Sequence, residues 1–60
     1  MPSDAASCRA QAAECHAEAA KCRQRAENAS DVSVTRDLLV MAKYWDDLGS
    51  YYDALEKQSN

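Results

Sequence analysis

Sixty residues allow one small domain, and a chain of this size is marginal alone unless disulfides, a metal or self-association help. One Gly, one Pro and an abundance of Ala, Glu, Lys, Arg, Gln and Leu favour helix almost throughout. The net charge of -3 is mild, and no basic patch follows a phosphate backbone, so nucleic acid is a poor partner.

The N-terminal MPSDAAS is polar and acidic and has no signal-peptide h-region. No apolar run reaches membrane-spanning length, so a membrane is not an expected partner either. These features lead to the expectation of a cytoplasmic protein with reduced thiols. Ser3 and Asp4 supply an N-cap and a first-turn acid, and helix is expected from about residue 4 to 28. This segment is an internal repeat of seven residues: AASCRAQ, AAECHAE, AAKCRQR, then AENAS. With the first and fourth places as a and d, the seam is Ala5, Cys8, Ala12, Cys15, Ala19, Cys22, Ala26 and Ala29, and every member is small.

The break, Asn28-Ala29-Ser30-Asp31-Val32-Ser33, is dense in side chains that compete for backbone hydrogen bonds. A turn is expected over 29–32, with Ser30 or Asp31 capping a second helix over about 32–57 and the last residues fraying. Gly49 is that helix's one weak interior position. Its large apolar residues Val34, Leu38, Met41, Trp45, Leu48, Tyr52 and Leu55 alternate in steps of four and three, a coiled-coil seam. Folding at the break sets small against large: Cys22 on Leu38, Ala19 on Met41, Cys15 on Trp45, Ala12 on Leu48, Cys8 on Tyr52. The fold class is all-α, an antiparallel two-helix hairpin forming one domain over 1–60. Its size and spare apolar residues predict assembly into a dimeric four-helix bundle.

Three readings compete for the repeated cysteine. As small, readily buried residues, Cys8, Cys15 and Cys22 serve as slightly larger alanines in the seam. As metal ligands they face a geometric obstacle: successive cysteines lie about 10.5 Å apart along a helix. Two thiolates sharing a zinc, each bonded at ~2.3 Å, must lie within roughly 4 Å of each other. Metal would therefore need a second subunit, and no resident metal or cofactor is expected. As redox thiols they would need two copies of helix 1 meeting antiparallel about Cys15, which competes with the hairpin for the same seam.

His16 comes directly after Cys15 but points about 100° away from it on a helix. It occupies a flanking place with Arg9 and Arg23 one heptad to either side, and reads as partly solvated. Asp46 and Asp47 are adjacent acids on an exposed face, and no nucleophile–base pair is assembled by spacing. The chain does not read as an enzyme. Off the seam, Val40, Tyr44 and Tyr51 run along one flank of helix 2 and Leu39, Ala42 and Gly49 along another. Leu39, Val40, Tyr44 and Tyr51 are the candidate contact surface, since a monomer needs less apolar surface than this.

The run Ala19-x-x-Cys22-Arg23-x-x-Ala26-Glu27-x-Ala29-Ser30-Asp31, continued by Leu38-Leu39-x-Met41-Ala42-x-x-Trp45-x-x-Leu48, resembles short uncharacterised alphaproteobacterial helical-hairpin proteins. The shared stretch covers roughly residues 15 to 48. Those proteins typically have Pro after the Ser-Asp, where Val32 stands here, and commonly carry the cysteine matching Cys22; Cys8 and Cys15 depart from that pattern. The resemblance implies a helical hairpin and brings no established activity and no functional residue. The resulting expectation is a self-associating interaction or accessory protein, with an unknown protein partner as a further possibility. The alternative is a thiol protein that binds soft metal or senses oxidation through Cys8, Cys15 and Cys22 at a subunit interface.

Overall fold

Asp4–Asn28 forms helix α1 and Val32–Ser59 forms helix α2 in the computed structural model, which describes residues 4–59. Ser3, half of the expected first cap, lies outside the described residues, as does Asn60. The second helix runs two residues past the expected end near 57. Asp31 caps it: its Oδ1 accepts a hydrogen bond from the Ser33 N–H at 2.8 Å, and its carbonyl accepts from the Thr35 N–H and hydroxyl. This satisfies a helix N–H that would otherwise lack a partner. At the end of α1, the Ala29 N–H donates to the Ala26 carbonyl and tightens the last turn. The chain reverses over three residues, and no described residue enters the left-handed region.

The two helices pack antiparallel into a rod whose Cα envelope is 46 × 12 × 11 Å. Its radius of gyration is 13.9 Å, against about 10 Å for a compact domain of this length. The accessible surface of 4447 Å² exceeds the roughly 3,900 Å² of a typical monomer of this mass. A rod two helices wide has no third element to cover what the shared seam leaves out.

That seam is made of small residues on both sides. Helix α1 buries Ala12, Cys15, Ala19, Cys22 and Ala26, the a and d places of the heptad. Helix α2 answers with Ala42, which is 2% exposed, and Gly49, also buried. Trp45 packs against the Ala19–Cys22–Ala42 cluster, and Leu38, Leu48 and Tyr52 are half-buried elsewhere along α2. The expected large seam therefore needs correction. Leu38, Trp45 and Tyr52 face α1 as anticipated, but Met41 is 48% and Val34 46% exposed. The helix is turned by one residue, so that Ala42 and Gly49 occupy the places assigned to Met41 and Leu48. The reason is steric: two stripes of Ala, Cys and Gly let the backbones close together, whereas Met41 against Ala19 would hold them apart. One consequence is energetic. Among the described residues no side chain larger than cysteine is buried, so the core offers little apolar area for holding two long helices.

Candidate functional site

Turning α2 gives the hairpin two unlike flanks. On one, Arg9, His16 and Arg23 of α1 repeat every seven residues and meet acids of α2 running the opposite way. Arg9 Nε donates to Glu56 Oε2 at 2.8 Å, and Arg23 pairs with Asp46. Between them, His16 lies across α2 with Nδ1 3.1 Å from Asp46 Oδ1 and Nε2 3.1 Å from Asp53 Oδ2. A neutral imidazole has one N–H and serves one of these carboxylates, whereas an imidazolium serves both. The ring lies over Gly49. A Cβ there would fall 2.8 Å from His16 Cε1 and Nε2 and 3.0 Å from Nδ1. Glycine in mid-helix is thus the footing on which the histidine rests. All four pairs on this flank are partly solvated, and each contributes modestly.

The opposite flank is apolar on α2 and charged on α1. An open groove of about 680 Å³ runs between the helices, floored by Cys15, Trp45, Leu48 and Tyr52 and edged on α1 by Gln11, Glu14, Glu18 and Lys21. Beyond Leu48, the exposed Met41, Tyr44 and Tyr51 extend the apolar surface. The two outer tyrosines are braced. Tyr44 meets the Trp45 ring edge-on with centroids 5.4 Å apart, and Tyr51 meets Tyr52 likewise at 5.6 Å. One heptad separates these aromatic pairs, and each favours its edge-to-face geometry. Rings already supported by a neighbour lose less freedom when another surface covers them.

The four candidate contact residues do not share one surface. Tyr44 and Tyr51 sit on the groove flank, 60% and 58% exposed. Val40 is exposed at the outer back of α2, and Leu39 is exposed on the ionic side, one heptad before Asp46. Met41 and Leu48 join the tyrosines instead; the regular alternation that assigns both to the hairpin seam conceals them. Of the acids, Asp46 engages His16 and Arg23, while Asp47 pairs with Lys43 one turn earlier, so the two carboxylates serve different faces. Asp53 and Glu56 belong to the ionic flank and are missed by reasoning from sequence. Their signal is present in the seven-residue step from 46 to 53, complementary to 9, 16 and 23.

The three cysteines are free thiols, with Cys15 and Cys22 buried in the seam and Cys8 half-buried nearer the open end. Among the described residues, no three His, Cys, Asp or Glu side chains are grouped to hold a metal ion. No helix among the described residues is long and apolar enough to cross a membrane. In comparisons with known proteins, the chain matches no family model, no curated protein and no solved structure.

Proposed function

We propose that this hairpin is a small self-associating interaction protein whose working unit is a dimeric four-helix bundle. One observation carries the reading: among the described residues the only buried side chains are Ala and Cys, while Met41, Tyr44 and Tyr51 stand in the open along one side of α2. A monomer of this shape leaves Met41, Tyr44 and Tyr51 largely in water and fully buries only its smallest apolar side chains. Joining two hairpins along that side converts the two-helix rod into the four-helix arrangement in which long antiparallel helices are ordinarily stable. An accessory role in the cytoplasm, without chemistry of its own, fits an exposed surface of braced aromatic rings better than the shallow ionic flank fits a reaction centre.

The test is the mass of untagged protein in reductant, by light scattering and native mass spectrometry, for wild type and for Tyr44→Glu/Tyr51→Glu. A wild-type dimer and a helical monomeric double variant are the expected results. A double variant of unchanged mass would reject this surface. A dimer that appears only with bound metal or after oxidation would favour the thiol alternative.

A further inference from the structure

We infer that the second hairpin docks on the groove flank about a two-fold axis crossing the rod at right angles, so that α1 lies antiparallel on its own copy and α2 on its own. This rests on the self-association reading and adds to it the mode of assembly. Two patterns, one on each helix, locate the axis independently.

The first is charge. The α1 edge of the groove carries Gln11, Glu14, Glu18 and Lys21, and Arg25 continues the same edge one turn later. Acids precede bases, so two copies run antiparallel are complementary. Glu18 faces Lys21 of the second copy and Glu14 faces its Arg25, with Gln11 opposite Asn28 at the ends. All these pairs share a midpoint between Ala19 and Ala20. Isologous contact demands a surface complementary to itself, and this edge meets that demand.

The second is apolar. On α2 the flank residues Met41, Tyr44, Leu48 and Tyr51 are spaced three, four and three apart, a symmetric set with its midpoint at residue 46. Run antiparallel, Met41 meets Tyr51 of the second copy and Tyr44 meets its Leu48. The seam is limited to these four positions, because the next residue of the stripe, Leu55, falls opposite Asp37 of the second copy.

The hairpin's own register decides whether one axis can serve both helices. His16 lies over Gly49, and Arg9 reaches Glu56. Both contacts set the midpoint of α1 level with a point between Trp45 and Asp46. The Arg23–Asp46 pair and the two carboxylates on His16 spread that level to either side, between about residues 42 and 50, so the two midpoints agree within about one helical turn. Nothing about either pattern alone requires this agreement. The other two-fold arrangement, with its axis along the rod, would lay α1 on α2 of the second copy. Glu14 and the Glu18–Lys21 pair, 3.4 Å apart within one chain, would then press on Tyr44, Leu48 and Tyr51, burying charge against rings and aliphatic side chains.

Two variants test the axis: Glu14→Lys/Glu18→Lys, whose edge is wholly basic, and Lys21→Glu/Arg25→Glu, whose edge is wholly acidic. Each alone is expected to dimerise at least tenfold more weakly than wild type, while a 1:1 mixture forms a heterodimer by native mass spectrometry. Circular dichroism of each variant establishes that it remains helical. Should either lose its helix, the wild-type protein supplies a second measurement. Equal amounts of ¹⁴N and ¹⁵N chains, treated with a carbodiimide, should give a mixed-isotope Glu18–Lys21 amide, formed by loss of water between carboxylate and amine. A wild-type dimer whose variants pair no better mixed than apart, or whose crosslink is found only within one chain, overturns the axis and leaves self-association standing. A wild-type monomer at all concentrations overturns both.

Discussion

Replacing Gly49 with alanine opposes two effects of similar size. In a helix interior alanine is more favourable than glycine by about 0.8–1 kcal/mol. Here the added Cβ would meet the His16 ring at 2.8 to 3.0 Å, where a comfortable carbon contact is about 3.5–4.0 Å. The ring must withdraw by roughly 1 Å. Its nitrogens already stand at 3.1 Å from Asp46 and Asp53, so withdrawal takes both carboxylates out of hydrogen-bond reach. These are half-exposed contacts, worth about 0.3–1 kcal/mol each. Gain and loss then nearly cancel, and Gly49→Ala should leave stability within about 0.5 kcal/mol of wild type. In a His16→Ala background nothing obstructs the Cβ, and the same change should stabilise by about 1 kcal/mol. The coupling of roughly 1 kcal/mol is read from a double-mutant cycle of thermal unfolding monitored by circular dichroism. One kcal/mol corresponds to a shift of about 4–8 °C for a domain this small. Chain concentration is held fixed, because the melting temperature of an assembling protein depends on it. If Gly49→Ala stabilises equally in both backgrounds, the histidine does not rest on Gly49 and the account of the ionic flank is wrong.

Two further outcomes concern the cap and the thiols. Asp31→Ala removes the side-chain acceptor for the Ser33 N–H and should cost about 1 kcal/mol in thermal melts, with little change in assembly. Under native conditions a maleimide should label Cys8 first, with Cys15 and Cys22 modified only after denaturant is added, because both are buried in the seam. Fast labelling of Cys15 in the folded protein would mean that the seam opens.

Much of the candidate site is legible before folding, though not as one surface. Arg9, His16 and Arg23 repeat visibly, and the tyrosines at 44 and 51 are plainly outside any seam containing Trp45 and Tyr52. Their partners are not legible, because a side chain's neighbour across the hairpin depends on how far each helix is turned about its own axis. His16 reads as an isolated flanking residue until Gly49 is brought beneath it. Leu39 and Val40 read as companions of the tyrosines until the turn of α2 puts them elsewhere.

By itself, the sequence determines two helices, a break over about residues 29–32 with Ser30 or Asp31 as the cap of α2, and the stripe of Ala and Cys that must be the inner face of α1. These are local matters, set by propensity, side-chain competition at the turn and a strict heptad. The inner face of α2 is not a local matter. Leu38, Trp45 and Tyr52 have two sets of neighbours one residue apart: Val34, Met41, Leu48 and Leu55 on one side, Thr35, Ala42, Gly49 and Glu56 on the other. Hydrophobicity alone selects the first set, whereas the packed pair buries Ala42 and Gly49 of the second, exposes Val34 and Met41 and leaves Leu48 and Leu55 half-buried at the edge. Helices faced with Ala and Cys gain most by closing to short range, which only small residues opposite permit. The same turn brings Asp46, Asp53 and Glu56 to Arg9, His16 and Arg23 and leaves Met41, Tyr44 and Tyr51 exposed.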